Sequence, residues 1–221
     1  MKLSRTGGFR SWRAIMNHGE RQLQDRLGTR ERADAFAGRQ TLDRLNDRMR
    51  RFIGRQEMMF LATADAGGGC DSTFRAGPPG FVRVLDDEHL SWPEYRGNGV
   101  MASLGNITEN GHVGLLFIDF RDVIGLHVNG TAEIVEDPGV QADVPPGQRA
   151  QLWVVARVQE AYIHCAKRIP RMIRIPRQRG RDLAVEQPKK SDYFVPAPPR
   201  GLTACDGKAD KALETACEHR E

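Results

Sequence analysis

Apolar positions along the chain follow two periods, and the change from one to the other marks the start of the predicted sheet. In residues 41–56 apolar side chains recur every three or four positions, which predicts an amphipathic helix that Thr41 could cap. The side chains on its apolar face are Leu42, Leu45, Met49, Phe52 and Ile53. From residue 58 onward the apolar runs are short and separated by turn residues, a pattern typical of strands.

The second half of this pattern predicts a mainly β fold with flanking helices. Strands are expected at 58–65, 70–76, 81–87, 89–95, 112–120, 125–137 and 152–164. The sixth of these should bend at Asn129–Gly130, and a short helix over 99–110 should face Met101, Leu104 and Ile107 inward. About five to seven antiparallel strands around one crossing helix favour a small or half-open barrel.

Polar segments flank this core on both sides. Residues 1–40 are expected to be an N-terminal extension, helical in part because 19–38 is charged and rich in helix formers. Residues 41–180 form the predicted barrel domain. Residues 181–221 are a basic, proline-containing tail of low complexity whose composition requires no packed fold.

Composition is that of a globular protein with polar ends. Hydrophobic residues make up 39% of the chain and charged residues 28%, and no apolar run approaches the length of a membrane span. Because the first residues show no apolar signal region, a cytoplasmic location without membrane association is expected. The four cysteines are widely spaced without a C-x-x-C pair, which favours free thiols in a reducing compartment and predicts no metal site.

The net charge of +4 is carried mainly by arginine, since only six of the 33 basic residues are lysine. An arginine surface could bind phosphate or carboxylate through bidentate contacts, or it could be a solvated surface without a ligand. The basic residues are spread along the chain, which makes nucleic acid an unlikely partner on charge pattern alone.

The stretch from residue 60 to 120 carries a family resemblance. It runs "FLATADAGGGCDSTFRAGPPGFVRVLDDEHLSWPEYRGNGVMASLGNITENGHVGLLFIDF" and is followed by "LHVNGTAEI" at 126–134. This sequence resembles the pyridoxamine 5'-phosphate oxidase-like family of FMN-binding split β-barrels, in its oxidase-related branch, over about residues 18–175. The resemblance implies a homodimer with one FMN in each of two grooves between subunits, and an oxidoreductase that uses the flavin on a small molecule.

The resemblance also implies a set of cofactor-binding residues. The helix that starts in "RGNGVMASLGN" would offer free N–H groups to the FMN phosphate, and the two glycines would let the backbone approach it. Relatives carry basic side chains where this chain has Val100–Ala102, so the positive charge would come from Arg75, Arg83 or Arg96. The expected set is Ser72, Thr73, Arg75, Gly77, Arg83, Tyr95, Gly97, Asn98, Gly99, Ser103 and Asn106.

Several of these residues also have structural interpretations that the sequence leaves open. The glycines around Asn98 could form a plain turn, and Asn106 could make a helix-to-strand hydrogen bond. Trp92, His164 and Lys167 are expected to contact substrate or the second subunit, although Trp92 could equally pack in the dimer core. No catalytic residue is identified.

Other functions remain open at this stage. The same fold could hold a deazaflavin, FAD or haem, with His112, His127 or His164 as candidate haem ligands. The chain could also be a non-catalytic flavin-binding or interaction protein that uses the basic stretch 167–181. Oxidation of pyridoxamine phosphate itself is not expected, because residues 168–181 contain no tryptophan beside their arginines. The substrate and electron donor are not indicated.

Overall fold

The computed structural model describes residues 18–95, 97, 99–136, 150 and 152–173. The chain divides into two units at Arg174, and all the described residues lie in the first. The helices are α1 (His18–Arg26), α2 (Arg30–Gln40), α3 (Asp47–Ile53) and α4 (Ala102–Glu109). The strands are β1 (Met58–Ala64), β2 (Cys70–Ala76), β3 (Arg83–Val84), β4 (His89–Glu94), β5 (His112–Asp119), β6 (Ile124–Val135) and β7 (Leu152–His164).

The seven strands form one antiparallel sheet in the order β2-β1-β5-β6-β7-β4-β3. Although β2 is at one edge and β4 lies near the other, Arg75 on β2 forms an ion pair with Glu94 on β4. The sheet is therefore curled so that strands from its two ends approach each other. This confirms the mainly β class and the split barrel that the sequence predicts.

The core lies on the concave side of the sheet and follows the two-residue alternation of strands. On β1, Met59 and Leu61 are fully buried whereas Phe60 between them is exposed. On β4, Leu90 and Trp92 are also fully buried, but Ser91 between them is buried too, so this strand is covered on both faces. Each such side chain stabilises the fold by roughly 1.5–3 kcal/mol relative to its exposed state.

The helix predicted over 41–56 is shorter than expected. It starts at Asp47, because the side chain of Asn46 accepts a hydrogen bond from the Met49 N–H at 3.0 Å and caps the helix there. Thr41 therefore does not cap it. Leu42 instead pairs with Ala161 of β7 in an isolated antiparallel bridge. The predicted apolar face is confirmed in its second half.

The helix predicted over 99–110 is confirmed from Ala102 onward, with Leu104 and Ile107 buried. The prediction that Met101 faces inward is wrong. It precedes the helix in a left-handed conformation with φ of 52° and is 55% exposed. This turn at Met101 takes its side chain off the buried face of the helix.

The predicted hairpin of residues 81–87 and 89–95 is present, but its first strand shrinks to Arg83–Val84. The turn is held by Asp86, whose carboxylate accepts hydrogen bonds from the N–H groups of Glu88 and His89 at 2.7 Å each. These hydrogen bonds, led by that from Glu88, hold the pKa of Asp86 below its usual value.

The bend predicted at Asn129–Gly130 is confirmed as a break in the β6–β7 register. A Cβ atom at Gly130 would lie 1.9 Å from the backbone oxygen of Arg157, so only glycine fits. The residues predicted to be helical at 19–38 form α1 and α2, separated at Gly28, which has φ of 62°. Within the described ranges no helix is long and apolar enough to cross a membrane.

Candidate functional site

A cavity of about 660 Å³ opens where β2, the end of β4 and the start of α4 meet. Its walls come from β2, from the segment that leads out of β4, and from the first turn of α4. The residues that line it are Asp71, Thr73, Phe74, Arg75, Ala76, Phe81, Pro93, Glu94, Tyr95, Gly97, Gly99, Val100, Met101, Ala102, Ser103, Leu104 and Leu152. A volume of this size is typical of sites for drug-sized or cofactor-sized ligands.

Among the described lining residues, Arg75 is the one cation, and its guanidinium is held in one position. The Nε–H lies 2.8 and 3.0 Å from the two carboxylate oxygens of Glu94. Nη1 donates to the Thr73 hydroxyl at 3.0 Å and to the Phe74 carbonyl at 3.3 Å. Since a guanidinium has five N–H groups, the two on Nη2 remain for a ligand.

Glu94 is a buried carboxylate, with 8% of its surface exposed. Besides Arg75, it accepts a hydrogen bond from the indole N–H of Trp92 at 3.0 Å. A buried charge of this kind is stable only when it is paired and hydrogen-bonded, and both conditions are met here. Arg75 and Glu94 thereby join β2 to β4 across the opening of the barrel.

The first turn of α4 forms another wall of the cavity. Its first N–H groups have no partner within the helix, and the side chain of Met101, the residue before the helix, makes no capping bond. Ser103 donates a hydrogen bond to the carboxylate of Asp71 on β2 at 2.7 Å. Gly97 and Gly99 have open space on the side where a Cβ would lie, and Gly99 has φ of 84°, which favours glycine.

Apolar side chains complete the cavity. Tyr95, Val100 and Met101 line it and are 49%, 71% and 55% exposed. These surfaces suit a flat aromatic ligand, and the helix N–H groups together with Nη2 of Arg75 suit an anionic end. The cavity therefore fits a flavin mononucleotide, although Asp71 and Glu94 also place two carboxylates in its walls.

The structure brings together some of the predicted cofactor residues and separates others. Thr73, Arg75, Tyr95, Gly97, Gly99 and Ser103 line the cavity. Asn98, like Arg96, lies outside the described residues. Ser72, Gly77, Arg83 and Asn106 are described and are not among the lining residues.

Each of these four residues has another position. Ser72 is exposed on the opposite face of β2. A Cβ on Gly77 would lie 2.5 Å from that of Phe81, so this glycine permits close packing. Arg83 lies on the outer face of β3, where its guanidinium is 4.4 Å from the ring centre of Trp153. Asn106 donates to the Thr63 hydroxyl at 3.0 Å, which is the helix-to-strand bond the sequence allowed.

The three residues expected to meet substrate or a second subunit also differ in position. Trp92 is fully buried in the core, so its indole does not line the cavity. It contributes to the site through the hydrogen bond that its N–H donates to Glu94. His164 ends β7, whereas Leu152, at the other end of this strand, lines the cavity. Lys167 is exposed just beyond His164. Within one chain neither residue belongs to the cavity wall.

His164 belongs to a separate cluster on β6 and β7. Its Nδ1 lies 2.7 Å from Nε2 of His127, and the His127 ring stacks on Tyr162 with 4.7 Å between centres. Burial, assisted by the neighbouring His164, lowers the pKa of His127 below its ordinary value. The two facing nitrogens are engaged with each other, whereas Nδ1 of His127 and Nε2 of His164 lie outside this contact.

Sequence reasoning missed Asp71 and Glu94. Glu94 follows Leu90 and Trp92 at two-residue spacing, so the alternation of β4 places a carboxylate on the inner face. Asp71 precedes Thr73 and Arg75 with the same spacing on β2. The two-residue spacing on both strands could therefore have predicted these two inward carboxylates from the sequence.

Comparison with known proteins supports the family assignment. The family model described as "Pyridoxamine 5'-phosphate oxidase" matches residues 45–165, just over half of the chain. A comparison with curated proteins gave no match.

Solved structures of low sequence identity also resemble the chain. HupZ of Group A Streptococcus is 24% identical, with 54% of this chain and 93% of that chain covered and a TM-score of 0.42. A protein from Lactobacillus delbrueckii described as a putative pyridoxamine 5'-phosphate oxidase is 24% identical, with coverage of 56% and 98% and a TM-score of 0.42. An FMN-binding protein from Syntrophomonas wolfei is 12% identical, with coverage of 66% and 97% and a TM-score of 0.39.

Proposed function

Since the chain belongs to the pyridoxamine 5'-phosphate oxidase family, we propose that its cavity binds FMN and that the protein is an FMN-dependent oxidoreductase acting on a small molecule. The observation that carries the proposal is one cavity that combines exposed apolar side chains, a helix N-terminus without a side-chain cap from Met101 and a fixed guanidinium. When bound, FMN supplies a ring that accepts and donates electrons.

The residues of the chain would have distinct parts in holding this group. Tyr95, Val100 and Met101 would contact the ring, since they are the exposed apolar side chains of the wall. Ser103, Gly97 and Gly99 would surround the phosphate at the start of α4, where the helix dipole favours an anion. Arg75 would donate from Nη2.

Other predicted cofactor residues remain part of the proposal in a weaker form. Asn98 follows Gly97 in the same segment and would add a side-chain donor. Arg83, on the outer face, would reach a ligand only through a second subunit.

We also propose that the protein is a homodimer in the cytoplasm. Phe60 on β1 and Phe74 on β2 form an edge-to-face pair with centres 5.6 Å apart, both are exposed, and Phe74 also lines the cavity. Val100 and Met101 add exposed apolar surface beside the cavity. An apolar surface of this kind next to a ligand site suits a subunit interface. His164 and Lys167 would approach the cavity only from a partner subunit.

The cofactor could instead be a deazaflavin or FAD, because the apolar side chains of the described wall would suit any of these flat rings. Haem is less favoured, since His112, His127 and His164 are not among the lining residues.

The test is the absorbance spectrum of the purified protein, followed by mass identification of the released ligand and by titration with FMN. We expect a flavin absorbance band at about 450 nm, either in the purified protein or after it takes up added FMN. A protein that shows no such band and takes up no FMN would rule the proposal out. A haem Soret band would replace it with the haem alternative.

A further inference from the structure

Among the described residues that line the cavity, negative charge exceeds positive charge, which is unusual for a site that should hold a phosphate. These residues contain one guanidinium, that of Arg75, and two carboxylates, those of Asp71 and Glu94. A dianionic ligand therefore meets more negative than positive formal charge from this part of the chain. Both carboxylates are placed by specific contacts.

The carboxylate of Glu94 already forms an ion pair with the guanidinium of Arg75. Both of its carboxylate oxygens lie within 3.0 Å of Nε, and the pair is mostly buried, with side chains 21% and 10% exposed. Nearby water screens such a pair only weakly. A phosphate that approaches Nη2 is thus attracted by a guanidinium whose charge is largely balanced by Glu94.

Asp71 lies at the other anion-binding element, the start of α4. Its carboxylate accepts the hydrogen bond from Ser103, the second residue of the helix, at 2.7 Å. A carboxylate at a helix N-terminus is stabilised by the same partial positive charge that would attract a phosphate. The carboxylate of Asp71 therefore lies where the helix would stabilise a ligand phosphate most strongly.

The two carboxylates act on one region. Asp71, Thr73 and Arg75 alternate along the same face of β2, about 7 Å apart from one to the next. The bond from Nη1 of Arg75 to the Thr73 hydroxyl brings the guanidinium back along the strand in the direction of Asp71. A phosphate bound between α4 and Arg75 would be repelled by both carboxylates.

We propose that Asp71 and Glu94 are specificity-determining residues that weaken the hold of the cavity on a ligand phosphate. The flavin is then bound mainly through its ring and polar chain, and it exchanges with free flavin. This inference rests on the proposed flavin function. It assigns an exchangeable flavin, with or without phosphate, as the ligand class.

The experiment titrates FMN and riboflavin, which differ only in the phosphate, into the full-length protein and the variants Asp71→Asn and Glu94→Gln. Glu109→Gln is the matched control. It removes the same charge from the opposite end of α4, outside the lining residues. Circular dichroism melts check that each variant folds. If Glu94→Gln, which changes a buried residue, does not fold, Asp71→Asn carries the test.

The wild type should bind FMN no more than about tenfold more tightly than riboflavin. Each cavity variant should bind FMN roughly fivefold more tightly, because one nearby negative charge is gone, and this gain should shrink at about 500 mM salt. Riboflavin affinity should stay within about twofold in every variant, and Glu109→Gln should behave as the wild type.

Two results would overturn the inference alone: FMN affinity that is unchanged or weaker in the folded cavity variants, or wild-type FMN affinity more than about a thousandfold above that of riboflavin. If the wild type and all variants bind neither flavin, the proposed function fails and the inference with it.

Discussion

At the residue scale, the position of Arg75 explains how one cation could serve a cavity with acidic walls. Three of its N–H groups are used by Glu94, Thr73 and the Phe74 carbonyl, so its direction is fixed before a ligand arrives. A donor that is already oriented loses little rotamer freedom on binding, which favours the bound state. Arg83 lies over Trp153 instead and is not among the residues that line the cavity of the same chain.

Replacing Arg75 should therefore affect the phosphate selectively. In Arg75→Ala a charged donor is lost and Glu94 remains unpaired beside the ligand, so FMN affinity should fall by about tenfold or more. Riboflavin affinity should change much less. Fluorescence titration with both flavins measures the difference.

Arg83→Ala supplies the comparison. Its FMN affinity should stay within about twofold of the wild type, and loss of the contact with Trp153 should lower the free energy of unfolding by about 0.5–1 kcal/mol. The double variant should then bind FMN as Arg75→Ala does. If Arg83→Ala alone weakened FMN binding as much as Arg75→Ala, the assignment of the phosphate to Arg75 would be wrong.

At the element scale, the β6–β7 pair depends on the bulge at Gly130. The place of a Cβ is filled by the Arg157 carbonyl at 1.9 Å, and this backbone group cannot move without breaking the ladder. Gly130→Ala should destabilise the protein by roughly 2–4 kcal/mol, measured by urea unfolding.

Gly97→Ala is the matched control, since nothing lies within 4 Å of a Cβ at that position. This variant should unfold within about 0.5 kcal/mol of the wild type. Equal stability of Gly130→Ala and the wild type would show that the bulge can rearrange at little cost.

The same strand pair should make stability depend on pH. The pKa of His127 is lowered in the folded protein from its ordinary 6.5 by burial and by His164. The unfolded chain therefore binds a proton before the folded protein does as the pH falls below 6.5, and folding stability decreases there. The stabilising contribution is fully present above that pH.

The measurement is the urea midpoint between about pH 7.5 and pH 5 for the wild type, His127→Gln and His112→Gln. The wild type should lose stability over this range, and His127→Gln should lose less. His112 is exposed at the start of β5, so His112→Gln should follow the wild type. Identical pH profiles for all three proteins would contradict this assignment.

At the scale of the whole molecule, the exposed apolar surface beside the cavity should control assembly. Phe74→Asp places a charge in the pair with Phe60 and should shift the protein from dimer to monomer in light scattering. Leu85→Asp, at a side chain that is 54% exposed in the Asp86 turn, should leave the dimer intact. A wild-type protein that is monomeric at all concentrations would remove the dimer proposal.

The strands, the bulge and the inward faces could be predicted from the sequence because strand periodicity and the Asn-Gly step are local signals. The start of α3 could not, since it depends on the Asn46 cap competing with a pairing of Leu42 to β7, which lies far along the chain. The pairing of Glu94 with Arg75 could not be predicted for a related reason. Arg75 lies 19 positions away from Glu94 and meets it only when the sheet curls.

The central claim is that the cavity binds FMN, and a calorimetric titration of the flavin-free, full-length protein with FMN tests it most directly. The predicted result is saturable binding with one FMN per chain, weakened in Arg75→Ala and unchanged in Arg83→Ala. The absence of any binding heat together with an unchanged flavin spectrum, in a protein shown to be folded, would contradict the claim.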